Sequence, residues 1–194
     1  MTIKILALSG SSRAGSLNQM LLDVAVIGAR TAGATVNTIR LRDFPLPIYD
    51  AELEVEDGMP PYAERLQELF TGHEGLLIAT PEYNGGYSAL LKNAIDWISR
   101  PRADGSMGMA AFARKVSAVI SASPGPLGGV RSQIALKLVL DKLGVTVIPQ
   151  SFALGFAHQA FDASGTLRDK KVERLVADVG ASLVRFAAAA MVAA

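Results

Sequence analysis

The sequence predicts an α/β fold: a doubly wound parallel sheet of five strands with helices on both faces. Two observations carry that expectation. Short apolar runs of strand length alternate along the chain with longer segments whose apolar residues recur at helical spacing. One of the short runs, Gly75-Leu76-Leu77-Ile78-Ala79, is apolar without alternation, as a strand covered on both faces is. The chain has no internal repeat, so the alternation belongs to one sheet.

Residues 3–9 are the first strand, ended by Gly10. Leu17, Leu21, Val24, Ala25 and Gly28 then mark a helix to about residue 32, which Gly33 closes. Residues 35–41 alternate and are rich in β-branched side chains, a second strand. Residues 43–61 hold Pro45, Pro47, Pro60, Pro61 and five acidic residues between Asp50 and Asp57, and are expected to form a long loop. A short helix over 61–71 leads to the third strand at 74–80, then a helix over 87–99 and a loop over 100–113. The fourth strand is expected at 115–121, a helix at 129–143 and the fifth strand at 145–148. The last helix, 169–190, sets Val172, Leu175, Val176, Val179, Leu183, Phe186 and Ala187 on one stripe. Five such strands suggest the flavodoxin-like order 2-1-3-4-5 in a single domain spanning 1–194. In that order ligands bind outside the carboxyl ends of the strands, at the switch between strands 1 and 3.

Composition narrows the chemistry. Half of the 194 residues are hydrophobic, enough for one large core. A net charge of +1 argues against nucleic acid as a partner. With no cysteine, thiolate nucleophiles, dithiol redox chemistry and Fe–S clusters are excluded, so electrons would need a bound cofactor. His73 and His158 are isolated, and no metal site is expected. No apolar run approaches the roughly 18 residues of a membrane span. The apolar run at 5–8 is too short for a secretory signal, so no membrane partner and a cytoplasmic location are expected.

Two loops follow the strands that flank the switch point. The first is Ser9-Gly10-Ser11-Ser12-Arg13-Ala14-Gly15-Ser16-Leu17-Asn18. It opens a helix, whose unpaired N–H groups and partial positive charge favour a phosphate. Ser11, Ser12, Ser16 and Asn18 add hydrogen-bonding side chains and Arg13 a charged fork. A dinucleotide fingerprint fails at Ser12, a Walker loop at Ser16 where lysine is required, and a nucleophile elbow at Ala14. A phosphate monoester that is held rather than transferred remains, beside the plainer alternative of a serine-rich helix cap with a solvated arginine. The second loop is Thr80-Pro81-Glu82-Tyr83-Asn84-Gly85-Gly86-Tyr87-Ser88. Tyr83 offers a stacking face, Glu82 and Asn84 polar edges, and Gly85-Gly86 close backbone approach, features suited to a flat ring.

The pattern Gly10-Ser-x-Arg13-x-x-Ser16-x-Asn18, then Pro81-Glu82-Tyr83-Asn84, then Leu91-Lys92-Asn93-Ala94-Ile95-Asp96-Trp97 resembles the NADPH-dependent FMN reductase family, which includes quinone, chromate and azo-dye reductases. The resemblance covers about residues 1–155. It implies that Ser11, Arg13, Ser16, Leu17 and Asn18 bind the FMN phosphate, and that Pro81, Glu82, Tyr83, Asn84 and Gly85 line the ring. A third loop after strand 4 would contribute Ser121, Ser123 and Gly125. It further implies NADPH or NADH as substrate, a small electron acceptor such as a quinone, and ping-pong transfer of a hydride through flavin N5. A homodimer or homotetramer with the flavin at a subunit interface is also implied, and Tyr87 and Trp97 are compatible with buried contacts there. No catalytic acid or base is named, because the cofactor carries the chemistry. Two other readings are a flavodoxin-type carrier, which the charge of +1 fits poorly, and a nonflavin nucleotide-binding module. Lys92 and Asp96 are expected to form a surface pair. Arg131 is left between capping a helix and binding a nucleotide phosphate.

Overall fold

A computed structural model describes residues 2–102 and 104–192. Its sheet runs β2-β1-β3-β4-β5, all pairs parallel, with β6 also pairing β4. The strands are β1 (Lys4–Ser9), β2 (Thr35–Arg40), β3 (Gly75–Ala79), β4 (Val116–Ala122), β5 (Thr146–Val147) and β6 (Phe152–Leu154). The helices are α1 (Leu17–Thr31), α2 (Ala51–Asp57), α3 (Pro61–Thr71), α4 (Ala89–Ile98), α5 (Val130–Lys142), α6 (Ala157–Ala160) and α7 (Lys170–Val192).

Successive residues of the central strands point to opposite faces, and both faces are covered. Ile5, Ala7, Leu77 and Ala79 pack with Leu21, Ala25, Val176 and Leu183 of α1 and α7. Leu6, Leu8, Leu76 and Ile78 pack with Leu66, Phe70, Leu91, Ile95 and Leu136 of α3, α4 and α5. The expected strand order stands, and it places the ends of β1 and β3 side by side, with Ser9 opposite Ala79.

Four expectations need correction. The segment 43–61 is not all loop: α2 forms there because the Asp50 carboxylate caps it, accepting the N–H groups of Glu52 at 2.8 Å and Leu53 at 3.4 Å. Glu52 and Glu54 lie in its first turn, where acidic side chains are favourable. The fifth strand is only two residues long. The Ile148 N–H still donates to Ser117 O at 2.9 Å, but residues 149–151 leave the ladder, Pro149 having no N–H to give, and the missed β6 then resumes pairing with Ile120, Ser121 and Ala122. On α7, Leu175 and Phe186 are exposed, so the buried stripe is narrower than expected: Val176, Val179, Leu183 and Ala187. Finally, α7 is long and apolar enough, by length and composition, to cross a membrane. That stripe is instead buried against α1 and the sheet.

Trp97 is fully buried within the chain and donates from Nε1 to the Pro47 carbonyl at 2.8 Å, so it is core rather than interface. Lys92 and Asp96 pair at 2.6 Å on the surface of α4, as their spacing predicts.

Candidate functional site

Three loops meet at the carboxyl ends of β1, β3 and β4. The β1–α1 loop is fixed at both ends. The Gly10 N–H donates to Ala79 O at 2.9 Å, and the Gly10 carbonyl accepts from the Ser88 hydroxyl at 2.6 Å. At the far end Ser16 caps α1, its Oγ accepting from the Gln19 N–H at 3.3 Å. Between them Gly15 takes φ +67°, a left-handed conformation, with open space around it. Among the described residues, the N–H groups of Ser12, Ala14, Gly15, Ser16, Leu17 and Asn18 find no protein acceptor. A run of unpaired backbone donors at a helix start is a nest for an anion.

The β3–α4 loop is a tight hairpin. Tyr83 and Gly86 exchange two backbone hydrogen bonds, of 2.9 and 3.0 Å, across Asn84 and Gly85. Both central residues have positive φ, +52° and +84°, the two-residue turn that Asn-Gly favours. The turn leaves Tyr83 55% exposed. It also consumes the Gly86 N–H, so among the described residues the unpaired backbone donors of the loop are those of Glu82, Asn84, Gly85, Tyr87 and Ser88.

Glu82 faces away from this turn and is committed elsewhere. Its carboxylate accepts from Arg131 Nε at 2.7 Å, from Arg131 Nη2, and from the Arg131 backbone N–H at 3.1 Å. It thus caps the start of α5 and joins the β3 loop to the β4 loop. The Arg131 guanidinium holds the Glu82 carboxyl below the usual carboxylate range, against the opposing push of burial. Arg131 is therefore a partner of Glu82 at a helix start.

The β4–α5 loop is held by side chains expected in the site. Asn18 is buried and grips both backbone groups of Ala122, Nδ2 donating to its carbonyl and Oδ1 accepting its N–H, each at 2.9 Å. Ser121 is fully buried beneath the loop, donating to Gly128 O at 2.6 Å and accepting from Gln133 Nε2 at 2.7 Å. The Gly125 N–H donates to Ser123 Oγ at 3.2 Å, and its carbonyl accepts from Phe156 N.

One cleft of about 90 Å³, partly open to solvent, is lined by all three loops. It brings together Ser11, Arg13, Ser16, Leu17, Asn18, Pro81, Glu82, Tyr83 and Ser123 of the expected residues. Asn84, Gly85, Ser121 and Gly125 stand outside its lining and shape the loops that form it. Ala122 and Pro124 line it and were not singled out; their place after β4 was the available signal. Among the described residues no group of His, Asp and Glu forms a metal site.

Residues 3–159 match the family described as NADPH-dependent FMN reductase. The chain is 37% identical over 175 residues to an NAD(P)H-dependent FMN reductase of Pseudomonas aeruginosa, covering 90% of this chain and 89% of that one. It is 34% identical to an NADPH:quinone oxidoreductase of Arabidopsis thaliana, covering 95% and 91%. Among solved structures, FerB, a flavoenzyme NAD(P)H:(acceptor) oxidoreductase from Paracoccus denitrificans, matches with a TM-score of 0.77 at 27% identity, covering 95% of this chain and 98% of that one.

Proposed function

The chain belongs to the NADPH-dependent FMN reductase family, and from that membership we propose how its own residues serve an NAD(P)H-driven reduction of a quinone-like acceptor. It is an oxidoreductase that uses FMN and a reduced nicotinamide nucleotide. One observation above all supports that cofactor: six backbone N–H groups from Ser12 to Asn18 lack acceptors, and three of them belong to Ser16, Leu17 and Asn18, which line the cleft with Arg13. Ser11, Arg13, Ser16 and Leu17 hold the phosphate, Asn18 acting by fixing Ala122. Pro81 and Tyr83 pack along the ring, while Glu82, Asn84 and Gly85 offer backbone donors to its polar edge. Bound there, FMN would supply the hydride-transfer chemistry between nicotinamide and acceptor, which no side chain of the cleft provides. Ser121, Ser123 and Gly125 support the third wall.

Tyr83 lines the cleft and is more than half exposed, and we infer that nucleotide and acceptor occupy the space beside it in turn, the ping-pong order. Initial rates with both substrates varied test this: parallel double-reciprocal lines are expected, and intersecting lines overturn the shared approach. A cytoplasmic location, a single FMN-binding domain over 1–194, and assembly as a homodimer or homotetramer belong to the same proposal. The exposed apolar stripe Val130, Ile134 and Leu138 on α5, which starts beside the cleft, supports the assembly.

A further inference from the structure

Phe156, between β6 and α6, is held in a conformation that its side chain disfavours, with φ +48° and ψ 34°. The left-handed region is uncommon for any residue but glycine, and a bulky side chain there is an outlier. Among the described residues two other non-glycine residues share it. Asn84 does so in the turn that Asn-Gly favours, and Arg114 lies before β4, at the end of the sheet away from the cleft. The backbone around Phe156 leaves it no alternative. Its N–H donates to Gly125 O at 3.2 Å, the Ala157 N–H donates to Ser123 O at 3.0 Å, and Leu154 O accepts from the Ser123 N–H at 3.0 Å. The two segments also touch backbone to backbone. A Cβ on Gly155 would lie 2.4 Å from Pro126 O, and one on Gly128 2.6 Å from the Ala153 carbonyl carbon. Strain of this kind persists only where the surroundings over-determine it, and it gathers at active sites and ligand clamps.

Burial does not offset this strain. A glycine would adopt the same φ freely, and the Phe156 ring gains little from the fold: at 54% it is the most exposed of the seven phenylalanines. What the position keeps is an aromatic face in a fixed place, and that place adjoins the cleft. The backbone partners of the segment, Ser123 and Gly125, bracket Pro124, and Ser123 and Pro124 line the cleft. Tyr83, also lining the cleft and exposed, supplies a second aromatic face from the β3–α4 loop. We propose that Phe156 is a specificity-determining residue for the electron acceptor. Its ring is an apolar platform at the rim of the cleft, and it favours acceptors that carry a second, apolar ring over small or ionic ones. Offset or edge-to-face contact with a flat ring system is the interaction that such a platform offers. The inference rests on the reading of the cleft as the place where a quinone-like acceptor is reduced.

The test compares the FMN-loaded parent with Phe156→Gly, Phe156→Asn and Phe156→Tyr, using 1,4-naphthoquinone and, as an ionic acceptor without a ring, ferricyanide. Under saturating NADPH, Phe156→Gly should raise the KM for 1,4-naphthoquinone about tenfold and leave the KM for ferricyanide unchanged. Phe156→Asn should do the same at the parent's melting temperature, since asparagine tolerates the left-handed region. Phe156→Tyr keeps the aromatic face and should keep the parent's KM. The rate of flavin reduction by NADPH should be the same in all four proteins. Calorimetric titration of the oxidised proteins with 1,4-naphthoquinone should show the same loss of about tenfold in Phe156→Gly and Phe156→Asn. A parent-like KM and affinity for 1,4-naphthoquinone in both variants overturns the role. Equal losses for both acceptors overturn it too, because Phe156 then acts on the flavin or the fold and not on the acceptor. If NADPH leaves the parent's flavin oxidised, the functional reading fails, and the calorimetric titration still decides Phe156.

Discussion

Arg13 is exposed, makes no ion pair among the described residues, and lines the cleft with Ser16, Leu17 and Asn18, whose N–H groups are unpaired. On the function proposed above, it contributes a charge-assisted bond of about 1.5–3 kcal/mol to FMN binding. Arg13→Ala is expected to weaken FMN binding about 10- to 150-fold, at 1.4 kcal/mol per decade. Riboflavin, which lacks the phosphate, should bind variant and parent alike in a fluorescence titration; unaltered FMN affinity would make Arg13 a solvated bystander. Glu82 acts differently, through Arg131 and the start of α5. Its folded-state pKa lies below the unfolded value near about 4.3. Its contribution to stability is therefore present above that pH and is lost as pH falls through the lower folded value. The difference in melting temperature between the parent and Glu82→Gln should narrow between about pH 5 and 3. A constant difference across that range would show that the ion pair carries none of it. Motif reading placed Arg13 and Tyr83 at the cleft, but it could not see that Asn18, Ser121 and Glu82 spend their side chains on the protein. Ala122, Gly128 and Arg131, the partners that decide this, lie 104, 7 and 49 residues away.

At the scale of elements, local pattern was legible wherever one helix or strand has a single apolar face, and it failed where tertiary contacts fix the chain. The segment 43–61 is tied down by groups far along the sequence. Asn93 receives the Tyr49 N–H at 2.8 Å and donates to Pro47 O at 2.8 Å, and Arg100 grips Glu54 at 2.9 Å while lying over the Tyr49 ring. No spacing rule announces such a strap. β6 was missed for a related reason: three residues between Ser151 and Gly155 carry no periodicity, and the strand exists because β4 offers open partners beyond β5. The α1–α7 crossing was half legible, since Gly28 sits on the expected apolar stripe. A Cβ on Gly28 would lie 1.9 Å from Ala177 O, and one on Gly180 1.9 Å from Ala25 O, so the two backbones touch through these glycines. Gly28→Ala and Gly180→Ala should each cost stability toward the upper end of about 1–3 kcal/mol. Urea midpoints falling with unchanged slope would show it; parent-like midpoints would mean that the helices part freely.

At the scale of the whole molecule, the remaining question is what covers the outer face of α5. Val130, Ile134 and Leu138 recur every four residues there and are 36%, 58% and 69% exposed, while Leu136 and Leu140 on the opposite face are fully buried. Leu127 and Phe156, both 54% exposed, are further uncovered apolar side chains, on loops joined by the bond from Phe156 N–H to Gly125 O. Trp97, buried inside the chain, supplies none of this contact. A stripe of this kind on a helix that starts at Glu82's partner Arg131 would bring a second copy close to the Tyr83 approach, which is how a homo-oligomer would complete the site. A stable homodimer needs roughly 800 Å² from each partner, more than one helix face supplies, so the flanking loop residues must take part. Light scattering of the parent should give at least a dimer, and Ile134→Glu combined with Leu138→Lys should shift it toward monomer without unfolding it by circular dichroism. A parent that is monomeric throughout the micromolar range would sink the assembly and the shared site together. A double variant that stays oligomeric would place the interface on another face.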